Sequence, residues 1–351
     1  MKTSHNRYKV DRLFIIGAGA SRCASTDAKK APLDKEFCEE ILSLNTIRPT
    51  WVSESKEIVC GKWAYPTAFE HMGLEEAVLR QMSHFEFLDA IHPRRRPTSI
   101  SGPEYLNHVA HLITFILRKS KETSANLYSK FVNKVFTNSR ISEINDRIIT
   151  FNYDDLLDKH LISKFPVQEV YFYRMKQYRN DRDRRLERFE HPLLIKLHGS
   201  VNWRCETNDF KRIIDTKYRS TANDDFINIW YSERGYNSPS DTVSPFIIPP
   251  LPTKPITEFG ISRFLWTKAY EYLHEAKEII VCGYSLPNTD QLAYSLFSNF
   301  VNRSIEKVTV VDIDTDVLRK WRQLLNRNNI RIKEWVWESD FYDYVENMEN
   351  M

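Results

Sequence analysis

The sequence predicts an α/β fold, a parallel sheet with helices on both faces, and three observations predict it. Short apolar runs bounded by turn residues recur along the chain, as in strands buried on both sides of a parallel sheet. Helical patterns fill the gaps between them. Polar residues cluster just after several of the runs, at the carboxyl ends where such sheets bind ligands.

The first run is Leu13 to Ile16, followed by the small residues Gly17-Ala18-Gly19-Ala20-Ser21, which suit a tight turn into a helix. Further strand patterns lie at Arg147 to Phe151, Leu193 to Leu197, Glu278 to Cys282 and Lys307 to Val311. Helical patterns cover Asp155 to Ser163, Ser262 to Ala276, Asp290 to Val301 and Asp316 to Asn326. This alternation is that of a Rossmann-like sheet. From about Pro32 to Ser142 the patterns are helical only, at Leu33 to Leu44, Ala68 to Ala90, Tyr105 to Lys119 and Ala125 to Phe136. Residues 32–142 therefore read as a helical insertion between the first and second strands of one domain spanning 1–351. Residues 208–236 are polar and read as a loop or a small subdomain. The aromatic tail with Trp335, Trp337, Phe341, Tyr342 and Tyr344 reads as a packed sheet edge or an oligomer contact.

Composition narrows the function classes. Hydrophobic residues make up 42% and aromatic residues 13%, enough for a packed core. The 50 basic and 47 acidic residues leave a net charge of +3, which argues against a dedicated nucleic-acid binder. Arg94-Arg95-Arg96 and the stretch Arg174 to Arg188 are the local basic exceptions; both read as solvated loops, and Asp181, Asp183, Glu187 and Glu190 offset the second. Nucleic acid is expected only indirectly. The cysteines Cys23, Cys38, Cys60, Cys205 and Cys282 contain no Cys-x-x-Cys pair, so a structural zinc ribbon has no ligand set. Their odd count and wide spacing suit reduced thiols. Leu13 to Ile16 is too short for a signal-peptide core, and Leu112 to Leu117 too short to span a bilayer. The expectation is a soluble, cytoplasmic protein without a membrane partner.

The candidate chemistry sits at the strand ends. In Gly17-Ala18-Gly19-Ala20-Ser21 the glycines let the backbone approach a ligand and a helix N-terminus suits a phosphate. The dinucleotide fingerprint is incomplete, because Arg22 stands at its third glycine. Ser21 offers a hydroxyl instead; a plain strand–helix turn is the other use of this segment. Ile148 to Asp154 places Asn152 and Asp154 past a strand, where they either face a ligand or cap the helix near Leu156. Leu193 to Ser200 places His198 in the same way, as a ligand-facing imidazole or a turn residue. Gly283 and Ser285 follow the next strand, and Asp312 and Asp314 the one after it. A carboxylate at such an end can accept ribose hydroxyls; the alternative for Asp314 is a helix cap.

Together, Gly17-Ala18-Gly19-Ala20-Ser21, Thr150-Phe151-Asn152-Tyr153-Asp154, Leu197-His198-Gly199-Ser200 and Gly283-Tyr284-Ser285-Leu286-Pro287 resemble the sirtuin superfamily in order and spacing. Ile247-Ile248-Pro249-Pro250 and Asp290 make the chain most similar to the sirtuin-like branch of bacterial anti-phage defence proteins. The resemblance covers Leu13 to Ser21 and roughly Arg147 to Asp314. It implies that NAD is the substrate. The turn Gly17, Ala18, Gly19, Ala20 and Ser21 would hold the pyrophosphate. Asn152 would sit beside the nicotinamide ribose and position water, and Asp154 would contact the carboxamide. His198 would be the catalytic histidine on the ribose hydroxyls, and Gly283 and Ser285 would contact the adenosine side. Asp312 remains a candidate for the ribose.

Departures from the deacylating sirtuins bear on the activity. Those enzymes carry a four-cysteine zinc module and a Pro-Asp-Phe-Arg turn. Here there is no such cysteine set, and the nearest match to the turn is Pro32-Leu33-Asp34. The resemblance thus favours plain NAD hydrolysis, to nicotinamide and ADP-ribose, without a metal. It also implies a toxic effector that depletes NAD on infection (abortive infection), as a homo-oligomer or with a partner such as a hexameric ATPase or an Argonaute protein. A non-catalytic NAD or ADP-ribose sensing module and an NAD-dependent protein deacylase are the alternatives.

Overall fold

The computed structural model describes residues 9–44, 49–60, 72–91, 100–137, 140, 143–171, 176–177, 191–208, 210, 229–231, 242–248, 260–287, 290–300, 302, 305–327, 330, 332 and 333–348. Arg94 to Arg96, most of 174–188, most of 208–236, and Pro249 and Pro250 lie outside the described residues.

The chain begins with β1 (Val10–Ile16) and α1 (Ala18–Ala24). Then come α2 (Asp34–Ser43), α3 (Thr50–Cys60), α4 (Leu74–Ile91), α5 (Gly102–Leu117) and α6 (Leu127–Val135). The strand β2 (Arg147–Thr150) and the helices α7 (Leu156–Lys164) and α8 (Val167–Val170) follow. Next are β3 (Lys176–Gln177), β4 (Leu194–Lys196), β5 (Gly199–Glu206), β6 (Trp230–Tyr231) and β7 (Val243–Ile247). The chain closes with α9 (Gly260–Glu275), β8 (Ala276–Cys282), α10 (Gln291–Asn299), β9 (Lys307–Val311), α11 (Thr315–Arg327), β10 (Glu334–Glu338) and α12 (Phe341–Asn347).

Six strands form the main sheet in the order β10-β9-β8-β1-β2-β4, every pair parallel. Numbered only among themselves, these strands run 6-5-4-1-2-3, the doubly wound Rossmann order. The central strands are apolar on both faces because helices cover both: Leu13, Phe14, Ile15, Ile148, Ile149, Ile279 and Val281 are fully buried. The fold reading of an α/β Rossmann-like sheet holds. The helices α2 to α6 lie between β1 and β2. Of these, α3 has no counterpart among the sequence patterns, because its buried stripe of Val52, Ser55 and Val59 is broken by charged neighbours.

A second sheet, in the order β3-β6-β5-β7, is built from short or polar strands. The sequence puts a turn at His198, and the turn is present, but the chain then passes directly into β5. Gly199 makes that passage. Its φ is +78°, and a Cβ on it would meet the Phe246 carbonyl oxygen at 2.1 Å. The Ile248 N–H donates to the His198 carbonyl at 2.9 Å, so β7 clamps the crossing. The aromatic tail supplies β10, the sheet edge, with Trp337 40% exposed.

Gly199→Ala is expected to destabilise the protein by about 1–3 kcal/mol or more, since both conformation and space oppose a side chain. Urea unfolding measures this; an unchanged midpoint would contradict the account of the crossing.

Candidate functional site

Strand register sets the site. Ile16 pairs with Thr150 and with Cys282, Thr150 pairs with Lys196, and Cys282 pairs with Val311. Five strands therefore end level. The residues that follow, Gly17, Asn152, His198, Gly283 and Asp312, lie along one edge of the sheet. The strand order reverses between β1 and β8, which is where ligands enter such sheets.

At that point the two glycine turns touch. A Cβ on Gly17 would meet the Gly283 carbonyl oxygen at 2.3 Å. Gly283 has φ +60°, and a Cβ there would lie 2.2 Å from the Ala20 nitrogen. The Gly17 N–H donates to Cys282 O at 2.9 Å and the Gly19 N–H to Gly283 O at 3.0 Å. Gly17, Gly19 and Gly283 are thus explained by backbone packing between neighbouring turns. Ala18 is the exposed residue of the first turn, while Ala20 and Ser21 are buried.

Asn152 is tied to this turn. Its Nδ2 donates to the Gly17 carbonyl at 2.8 Å and to Ser21 Oγ at 3.0 Å. A carbonyl only accepts, so the amide orientation is fixed, both of its hydrogens are committed, and Oδ1 is the atom left to accept. Ser21 Oγ also shares a 2.9 Å hydrogen bond with the Tyr128 hydroxyl of α6. In this arrangement Ser21 holds the Asn152 amide. Asp154 Oδ1 accepts the Leu156 N–H at 3.1 Å, at the start of α7. Burial pushes the Asp154 carboxyl above its ordinary value, against the pull of Lys196, Ser21 and the Leu156 N–H.

Beneath Asp154 lies a fully buried ion pair. Lys196 Nζ donates to both Asp158 oxygens, at 3.1 and 2.9 Å, and to the Asp154 carbonyl. The Tyr171 hydroxyl donates to Asp158, and Asn202 Nδ2 donates to Tyr171 at 3.0 Å. The network joins β4, α7, α8 and β5 under the site.

His198 is 4% exposed and sits in an aromatic cage. Its ring lies 5.3 Å from Phe151, 6.0 Å from Tyr153 and 6.4 Å from Trp266. The two aromatics that flank Asn152 in the chain therefore both reach His198. Phe151 stacks on Tyr284 at 4.3 Å, joining the β2 end to the β8 turn. Asp290 Oδ2 stands 3.3 Å from His198 Nε2. Burial, with Asp290 and Glu75 nearby, raises the Tyr284 phenol far above its ordinary value, and burial does the same to Tyr153.

The remaining candidates are more peripheral. Ser285 is exposed. Asp312 is half-buried, which pushes its carboxyl up, and its Oδ1 accepts the Asp314 N–H at 2.9 Å. Asp314 accepts the Asp316 N–H at 2.9 Å, so it caps α11. Tyr128, Lys196 and Asp290 are the site residues to which the sequence reading gave no role. Asp290 stood out only as a mark of the family branch, and the signal for Lys196 was a charge inside an apolar run. Among the described residues no group of three or more His, Cys, Asp or Glu is placed to hold a metal ion.

Lys196→Met is expected to cost about 3–5 kcal/mol, because it leaves Asp158 buried without its partner. Replacing both partners, Lys196→Met with Asp158→Leu, is expected to regain most of it. Equal stability of the single and double variants in chemical denaturation would contradict the pair's role.

The family model described as SIR2-like domain matches residues 146–332, more than half of the chain. The match contains Asn152, Asp154, His198, Gly283, Ser285, Asp290 and Asp312, while the Gly17 turn lies before it. A comparison with curated proteins finds no match. SIR2-like domains are NAD-dependent enzymes, and no helix among the described residues is long and apolar enough to cross a membrane. With its sheet order, its level strand ends and this match, the chain belongs to the SIR2-like domain family.

Proposed function

We propose that this SIR2-like protein is an NAD glycohydrolase that cleaves the nicotinamide–ribose bond to give nicotinamide and ADP-ribose. The observation that carries the reading is the joint placement of Asn152 and His198. One register-aligned edge carries both, Asn152 after β2 and His198 after the neighbouring edge strand β4, with Phe151 and Tyr153 linking them.

The chemistry follows from those positions. When the bond breaks, nicotinamide leaves with the electron pair and positive charge develops on the ribose, as in glycoside hydrolysis. Asn152 Oδ1, its orientation fixed by Gly17 O and Ser21, presents a carbonyl dipole to that charge or to the attacking water. Fixed dipoles of this kind supply much of the stabilisation in enzymes. His198 accepts a proton from a ribose hydroxyl or from the water. The water oxygen bonds to the anomeric carbon and keeps one proton on the new hydroxyl; its other proton goes to His198, or to the ribose oxygen where that hydroxyl was the donor to His198. The pyrophosphate runs past Ala18 on the glycine turn, the adenosine side lies toward Gly283 and Ser285, and Asp154 faces the carboxamide. The ribose contact of Asp312 belongs to the same proposal. NAD is the substrate, and no metal takes part.

We place this activity in anti-phage defence, as a regulated toxic effector that depletes NAD. The support is the resemblance of the motifs to that branch, together with the enclosure of His198, which must open before NAD can reach it. Control by a homo-oligomer, or by a partner such as a hexameric ATPase or an Argonaute protein, in the cytoplasm, belongs to the same proposal.

His198→Ala and Asn152→Ala are each expected to lower turnover by roughly 10²–10⁴-fold with the fold intact. Chromatography of nicotinamide and ADP-ribose released from NAD, beside circular dichroism, measures both effects. Wild-type rates from both variants would contradict the assigned roles.

A further inference from the structure

Asn152 is held from a direction that the sheet does not supply. Its Nδ2 donates to the Gly17 carbonyl at 2.8 Å and to Ser21 Oγ at 3.0 Å. Behind Ser21 stands Tyr128 of α6, its hydroxyl 2.9 Å from Ser21 Oγ. Several contacts place that tyrosine. The Thr26 N–H donates to the Lys121 carbonyl at 2.8 Å and the Thr123 N–H to the Ala24 carbonyl at 2.9 Å, so the chain before α6 lies along the end of α1. Glu122 accepts the Tyr128 N–H at 2.7 Å with one oxygen, and its other oxygen stands 2.5 Å from His160 Nε2 of α7. The Tyr128 ring packs 5.5 Å from that of Phe341 in α12.

A count of hydrogens sets the direction of these bonds. Asn152 gives Ser21 Oγ one hydrogen. A serine hydroxyl accepts at most two and donates one. Burial holds the Tyr128 phenol well above its ordinary value, so it keeps its hydrogen. Among the described residues Ser21 is the hydrogen-bond partner of that hydroxyl. If Ser21 donated to it, the phenolic hydrogen would be buried without an acceptor, which is costly. Tyr128 therefore donates, and Ser21 turns its own hydrogen toward Asp154, whose carboxylate it favours against burial. With both lone pairs and its hydrogen engaged, Ser21 Oγ is a fixed acceptor for the Asn152 amide. Phenylalanine would fill the same apolar space; the hydroxyl is what tyrosine adds.

We propose that Tyr128 is a positioning residue that holds the Asn152 carboxamide through Ser21, so that a helix from the segment between β1 and β2 completes the site. This rests on the reading of Asn152 as the residue that faces the nicotinamide ribose. Tyr128 is fully buried behind Ser21, so its contribution passes through the amide dipole to the transition state and leaves substrate binding in place.

The test compares Tyr128→Phe, Ser21→Ala and the double variant in the full-length protein, with Tyr128→Met as a second hydroxyl-free variant and circular dichroism to verify folding. In either hydroxyl-free variant, kcat for nicotinamide release from NAD is expected to fall roughly 5–10-fold, the worth of one hydrogen bond, with KM within about twofold. Ser21→Ala is expected to lower kcat at least as far, and adding Tyr128→Phe to it to change nothing more. Labelling with ¹⁵N-asparagine reads the amide itself, and loss of its signal in Asn152→Asp assigns it. The Nδ2 hydrogens are expected to shift and to exchange faster with solvent in Tyr128→Phe. A wild-type kcat, or an unchanged Asn152 amide signal, in the hydroxyl-free variants would overturn the proposal. So would a further fall in kcat when Tyr128→Phe joins Ser21→Ala. Wild-type protein that releases no nicotinamide would overturn the hydrolase reading instead, while the amide spectra would still decide whether Tyr128 holds Asn152.

Discussion

Contact between two backbone turns organises the centre of this molecule. The turn after β1 and the turn after β8 press together so closely that neither Gly17 nor Gly283 has room for a side chain. Hydrogen bonds from Gly17 to Cys282 and from Gly19 to Gly283 lock them. Everything at the site refers to that junction. Asn152 is oriented by the Gly17 carbonyl, Ser21 stands one turn along α1, and Tyr284 follows Gly283 to stack on Phe151. A shift of either turn would move the amide, the aromatic cage and the histidine together.

Charge is handled in two ways around this junction. Lys196 and Asp158 neutralise each other in the interior, and Tyr171 and Asn202 satisfy them further. A buried pair of this kind contributes little net stability when intact and is costly when halved, so its effect is to fix where β4 and α7 meet. Asp154, directly above, is pushed toward its neutral form by burial. Asp290 caps α10 with one oxygen, and its other oxygen stands 3.3 Å from His198 Nε2.

Much of this was legible in the sequence, for physical reasons. Strands buried on two faces need unbroken apolar runs, and Leu13 to Ile16, Ile148 to Thr150, Ile279 to Cys282 and Val308 to Val311 read directly as strands. Because such strands end level, the polar residues after them could be assigned to one edge. The second sheet was not legible: β5 mixes Asn202, Trp203 and Arg204, all buried, and β3 and β6 have two residues each. Partnerships across long separations were equally hidden. Nothing local in the sequence pairs Tyr128 with Ser21, Lys196 with Asp158 or Asp290 with His198, since each contact depends on the packing of separate elements.

The most direct measurement of the central claim is a crystal structure of the His198→Ala protein with intact NAD. The account predicts the nicotinamide ribose at the carboxyl ends of β2 and β4, with Asn152 Oδ1 facing the anomeric carbon and the pyrophosphate beside Ala18. NAD bound at any other face of the molecule, or with its nicotinamide ribose away from Asn152, would contradict it.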